Sequence, residues 1–154
     1  MTTYYLDSSA LSKRYVQEKG TLWISSLVDP RVGNTLLVAR ITMVEIFSAL
    51  ARRGRENPES TAECHIAAQA FTAHCATDYE LIELDIKIVD LCHDLLDRHP
   101  LRAYDAVQLA SAMLVNPVLQ SAELSPLVFV SADIRLNAIA EAEGLTVDNP
   151  NFHQ

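Results

Sequence analysis

Leu127-Val128-Phe129-Val130-Ser131-Ala132-Asp133, running on into Ile134-Arg135-Leu136-Asn137-Ala138-Ile139-Ala140, decides the fold class. Residues 127–131 are too few for a helix and dominated by β-branched and aromatic side chains, so they read as a strand. Because its apolar residues run on without alternation, the strand is buried on both faces, as in a parallel sheet covered by helices. The pattern then changes to helical spacing over residues 134–143, which Gly144 ends. An aspartate, Asp133, stands at the junction.

Working outward, the same strand-to-helix change recurs. Residues 3–6 form an aromatic-rich strand ending at Asp7, and a helix starts at about residue 8 and closes at Gly20. Residues 21–28 predict a short helix stopped by Asp29-Pro30. Gly33-Asn34 makes a turn into a strand over 35–39. Met43, Ile46, Phe47 and Leu50 share one face of a helix over 43–53, ended by Gly54. A polar connection over 55–59 leads to a long Ala-rich helix over 60–77, a strand over 79–84 and an amphipathic helix over 86–97. His99-Pro100 breaks the chain before a helix over 101–115, and Thr146-Val147 add an edge strand. Alternating strands and helices predict one α/β domain over 1–154, with a parallel sheet and right-handed crossovers.

The chain of 154 residues is long enough to bury a core without disulfides or structural metal. Cys64, Cys75 and Cys92 are odd in number and form no Cys-x-x-Cys pair, which fits reduced thiols in a cytoplasm. The start, Met1-Thr2-Thr3-Tyr4-Tyr5, lacks the basic residues and apolar run of a secretory signal. No stretch predicts a membrane span, since Arg40 and Glu45 interrupt the longest apolar segment. A net charge of −8 opposes nucleic-acid binding unless cations and a local basic rim offset it. Lys13-Arg14, Arg52-Arg53 with Arg55, Arg102 and Arg135 are the candidates for that rim.

Four acids carry the functional reading: Asp7, Glu45, Asp105 and Asp133. Each has a structural explanation when taken alone. Thr42-Met43-Val44-Glu45 fits a capping box. Asp7 and Asp133 suit N-caps, and Asp105 suits the first turn of a helix. Taken together, they fall at the carboxyl ends of strands or the mouths of helices, where open α/β sheets bind ligands. Acids gathered there repel one another without a cation, and oxygen ligands of this charge suit a hard divalent ion. Asp105 weighs most, because the helix it opens is apolar nearly all round. These residues predict a metal-dependent nuclease site.

Tyr5-Leu6-Asp7-Ser8-Ser9-Ala10-Leu11, Thr42-Met43-Val44-Glu45, Arg102-Ala103-Tyr104-Asp105-Ala106-Val107-Gln108-Leu109-Ala110 and Ser131-Ala132-Asp133 resemble, in this order, the PIN-domain family. Within it the chain is most similar to the VapC-type toxins of toxin–antitoxin pairs. The resemblance spans essentially the whole chain. It implies a three-layer α/β/α sandwich and Mg²⁺- or Mn²⁺-dependent ribonuclease activity. It also implies a homodimer and a small antitoxin that blocks the acidic site. Asp7, Glu45, Asp105 and Asp133 match the acidic quartet, and Ser131 matches a small hydroxyl position beside the last acid. Where some relatives carry a further acid, this chain has Ile134-Arg135, which leaves one metal ion or two open. On this reading Asp7 and Asp105 hold the ion, with Asp133 as a further ligand and Glu45 direct or through water.

Other chemistries fit worse. The four glycines sit at helix ends and a turn, leaving none for a phosphate-cradling loop. Ser9 occupies the place where an aspartyl-phosphate phosphatase needs a second Asp. There is no Gly-x-Ser-x-Gly elbow. His65 and His74 fall on opposite sides of their helix, and Cys64 and Cys75 share a face with Ala68 and Phe71, which predicts core packing and not zinc. The competing reading is a non-catalytic PIN scaffold that binds a partner protein or RNA.

Overall fold

The computed structural model describes residues 1–153. Five strands form one sheet: β1 (Thr3–Leu6), β2 (Thr35–Ala39), β3 (Glu80–Ile82), β4 (Val128–Val130) and β5 (Thr146–Asp148). Their order is β3-β2-β1-β4-β5 and every neighbouring pair is parallel. The chain winds outward from β1 through β2 to β3, then returns to the other side of β1. The switch point therefore lies between β1 and β4. Leu6 pairs with Val130, so Asp7 and Ser131 emerge side by side at its carboxyl edge.

Among the described residues seven α-helices surround the sheet: α1 (Ser8–Leu11), α2 (Thr21–Leu27), α3 (Arg40–Glu56), α4 (Thr61–Thr77), α5 (Ile86–Arg98), α6 (Ala103–Ser121) and α7 (Ile134–Ala142). Strand residues alternate between two cores, as a period of two requires. Tyr5, Leu37 and Phe129 face α5, α6 and α7. Leu6, Val38 and Val130 face α1 to α4. Tyr5 and Phe129 stack with centroids 5.5 Å apart. Burying each large apolar side chain stabilises the fold by about 1.5–3 kcal/mol. The α/β/α sandwich read from the sequence is thus the observed architecture.

Several boundaries differ from expectation, among them the start of α3, at Arg40 instead of 43. The helix after β1 is only α1 plus one 3-10 turn (Ser12–Arg14), and Gly20 opens α2 instead of closing it. The chain leaves the helix at Tyr15, whose hydroxyl is held by His74 Nδ1 at 2.8 Å. Gly54 lies inside α3, which stops before Pro58, because a residue preceding proline disfavours helical backbone. Finally, α6 continues six residues beyond Val115, through Pro117. Leu119 packs into the core there, and Asn116 Oδ1 accepts from Leu127 N at 3.0 Å, tying the helix to the start of β4.

Gly20 is required by its surroundings. Its φ is +88°, and a Cβ there would lie 2.5 Å from the Pro150 carbonyl oxygen. Gly20→Ala should therefore destabilise the protein by about 1–3 kcal/mol, read from urea unfolding. A loss under about 0.5 kcal/mol would mean that the Pro150 segment yields freely.

Candidate active site

Asp7 is the most constrained of the four acids. It is 4% exposed and its carboxylate is ringed by donors. Oδ1 accepts from Ala10 N at 2.9 Å and from Ser9 Oγ at 2.7 Å, and Oδ2 accepts from Ser131 Oγ at 2.7 Å. That uses three of its roughly four acceptor positions. Burial raises its pKa from 3.8 to about 6, and the nearby charge of Glu45 adds to the rise, while the three hydrogen bonds act against it. The parallel pairing of β1 and β4 builds this arrangement. Asp7 N donates to Val130 O at 3.1 Å, which sets the two strand ends level.

Ser131 ties Asp7 to Asp133. Its hydroxyl donates to Asp7 and accepts from Asp133 N at 3.1 Å. Ser9 makes the matching link, accepting from Ala132 N at 2.9 Å. Asn137 donates to Ser131 O at 2.8 Å and steadies the turn from below. Asp133 itself is exposed, and its Oδ1 caps α7 through Arg135 N and Leu136 N at 2.9 and 3.2 Å.

Asp105 lies in the first turn of α6, half-buried, in a cleft of 160 Å³ with Asp133, Arg102 and Arg135. Burial raises its pKa and the charge of Asp133 raises it further, against the opposing effects of the Arg102 guanidinium and backbone. Burial there stores electrostatic cost that a cation would relieve.

Glu45 is not the partner of a capping box, because α3 begins at Arg40 and Thr42 lies inside it. Its Oε2 accepts from Ser8 Oγ at 2.8 Å, beside Asp7, and its Oε1 accepts from Gln108 Nε2 at 2.8 Å. Gln108 and Ser9 are site residues that the reading of acids passed over. The signal for Gln108 was present: a long amide in the middle of an otherwise apolar helix must be satisfied when buried.

The acids thus gather at one edge of the sheet, but they do not close round one point. Among the described residues, no group of three or more His, Cys, Asp or Glu is arranged to hold a metal. Charge coupling pairs Asp7 with Glu45, and Asp105 with Asp133. Mg²⁺ keeps several waters and needs only one or two carboxylates, so the donor set fits an ion held in that hydrated manner.

The basic rim is smaller than expected. Lys13 is buried and pairs with Glu18 at 3.5 Å, so it is withdrawn from any ligand. Arg14 is engaged by Asp78 at 3.1 Å and by Tyr79, on the far core. Arg52 is exposed, but it lines a separate hollow with Glu18 and Glu56. Arg102 and Arg135 flank Asp105 and Asp133 in their cleft. Cys64 and Cys75 are buried in the core with Phe71, as their spacing predicts.

No family model matches the chain, and no curated protein matches it either. Solved structures do. FitAcB from Neisseria gonorrhoeae is 13% identical, with TM-score 0.64 over 98% of this chain and 99% of that one. VapBC2 from Rickettsia felis, bound to a DNA fragment from their promoter, is 14% identical, with TM-score 0.61 over 96% and 98%. A toxin–antitoxin complex from Klebsiella pneumoniae is 14% identical, with TM-score 0.59 over 96% and 97%. Among the described residues no helix is long and apolar enough to cross a membrane. Matching over nearly their full length, these structures and the present chain share one fold, the PIN-like α/β/α sandwich.

Proposed function

We propose that this chain is a metal-dependent endoribonuclease, the VapC-type toxin of a toxin–antitoxin pair. The observation that carries the reading is Asp7: a buried carboxylate at the switch point of the sheet, held by two serines, with three further acids at the same edge. The likeness to chains from toxin–antitoxin structures supports the class and an antitoxin partner; the cytoplasmic setting rests on the unpaired spacing of Cys64, Cys75 and Cys92. A homodimer follows from the resemblance alone.

Asp7 and Asp105 would hold Mg²⁺ or Mn²⁺, with Asp133 and Glu45 bonding directly or through water. Such an ion, when bound, would supply a more acidic water and positive charge to stabilise the phosphoryl group. The protein's own groups do the positioning. Ser131 and Ser9 fix both oxygens of Asp7. Arg102 and Arg135 offer the cleft's positive charges to an RNA phosphate, which the acidic balance of the chain otherwise repels. Water would attack phosphorus and the P–O3′ bond would break, leaving a 5′-phosphate on one product and a 3′-hydroxyl on the other.

The incomplete gathering of the acids favours one alternative, a PIN scaffold that binds a partner protein or RNA without cleaving it. Cleavage of an unstructured RNA with Mn²⁺, with EDTA and with an Asp105→Asn variant separates the two. The nuclease reading predicts 5′-phosphate products with Mn²⁺ alone, and loss of at least about 100-fold in the other two arms. That is the upper end of losses from disturbing merely an outer partner of a metal site. Equal cleavage in all three arms, or a 2′,3′-cyclic product, would overturn it.

A further inference from the structure

Gln108 is 1% exposed on α6, one turn beyond Asp105. Its amide oxygen accepts from Tyr5 OH at 2.8 Å. Its amide nitrogen donates to Thr42 Oγ1 at 2.8 Å and to Glu45 Oε1 at 2.8 Å. These bonds join β1, α3 and α6 inside the protein, and they end on a carboxylate of the acidic edge.

The direction of the amide is fixed by chemistry. Glu45 faces the amide as a carboxylate, which only accepts, so the NH₂ must point at it. The amide oxygen is then left facing the buried Tyr5 hydroxyl, which donates to it. Were the amide reversed, Glu45 would meet a carbonyl oxygen with no hydrogen between them, although Tyr5 OH could accept the N–H. Thr42 can take either role and does not decide the orientation. Stacking of Tyr5 on Phe129 holds the phenol in place.

We propose that Tyr5 and Gln108 are positioning residues that act in series to hold Glu45, so that one carboxylate oxygen is presented to the cation and water of the acidic edge. This rests on the nuclease reading. Ser8 Oγ fixes the other oxygen, so Glu45 is held at both ends before any ligand arrives. Partners of this kind, which touch a ligating group and not the ligand, typically govern metal affinity or activity by about 10- to 100-fold.

The test uses Tyr5→Phe, Gln108→Met and the double variant in the full chain. Tyr5→Phe retains the ring stack, and Gln108→Met retains volume. Mn²⁺ affinity by calorimetry and kcat and KM for RNA cleavage are measured for each, with unfolding to establish that each variant folds. Gln108→Met is expected to weaken Mn²⁺ binding or lower kcat by about 10-fold or more, with KM within about twofold. Tyr5→Phe should lose less, and the double variant should match Gln108→Met alone, because residues in series do not add. Additive losses, or wild-type affinity and kcat in Gln108→Met, would overturn the relay.

A second readout needs no activity. The side-chain amide protons of Gln108 should exchange slowly with solvent and change their NMR shifts in Tyr5→Phe. Rapid exchange in the wild type would count against the relay. Wild-type protein that neither binds Mn²⁺ nor cleaves RNA would instead sink the nuclease reading, while the amide protons still decide whether the relay exists.

Discussion

Asp7→Asn should reduce RNA cleavage by more than about 100-fold while leaving a folded protein. A direct ligand should cost more than an outer partner, whose loss costs at most about 100-fold. The fold should survive because the amide can satisfy the same surroundings. Its oxygen still accepts from Ala10 N and Ser9 Oγ. Its NH₂ then faces Ser131, whose hydroxyl turns its hydrogen towards Ser9 Oγ, 3.3 Å away. Single-turnover cleavage and far-ultraviolet circular dichroism check the two halves together. Activity within about threefold of wild type would remove Asp7 from the chemistry.

The same substitution should change how stability depends on pH. Burial raises the Asp7 carboxyl from 3.8 to about 6. A group that binds its proton more tightly when folded favours the native state most at low pH, below its unfolded pKa. That contribution is lost as pH rises through the folded value. At neutral pH the ionised, metal-free Asp7 therefore costs about 3 kcal/mol, taking 1.36 kcal/mol per unit. In EDTA, wild type should lose stability relative to Asp7→Asn as pH is raised from about 4 to about 7, by a difference of that order. Urea unfolding at several pH values measures it. Parallel curves for the two proteins would mean that Asp7 is better solvated than its burial indicates. Saturating Mn²⁺ should offset the penalty in wild type only, since binding to the native state adds stability.

Much of this architecture was legible because its causes are local. The run 127–130, the aromatic strand before Asp7 and the strand Thr35–Ala39 each announce a buried strand, and Asp7 and Asp133 follow closely after strand ends, whereas Glu45 and Asp105 lie in helices. The sheet order brings Asp7 and Ser131 together because β1 and β4 are neighbours, which alternation of elements alone does not reveal. Helix ends were harder. Gly54 and Pro117 are local breakers that tertiary packing overrides, the first where α4 approaches α3, the second where Leu119 reaches the core.

Side-chain partners were the least legible. Lys13 follows Ser12 in a polar stretch and reads as a surface cation, yet the 3-10 turn carries it inward beside Glu18. Gln108 lies 63 residues from Glu45 and 103 from Tyr5, and no spacing rule connects residues so distant. The acids could be named from the sequence. Which serine, amide and phenol hold them could not, because that depends on how α3, α6 and β1 converge.

The most direct measurement is anomalous scattering from crystals soaked in Mn²⁺. A peak at the carboxyl edge between β1 and β4, bonded to an Asp7 oxygen and approached by Asp105, is the predicted result. An edge that stays empty in crystals of protein that cleaves RNA, or a peak elsewhere in the molecule, would contradict it.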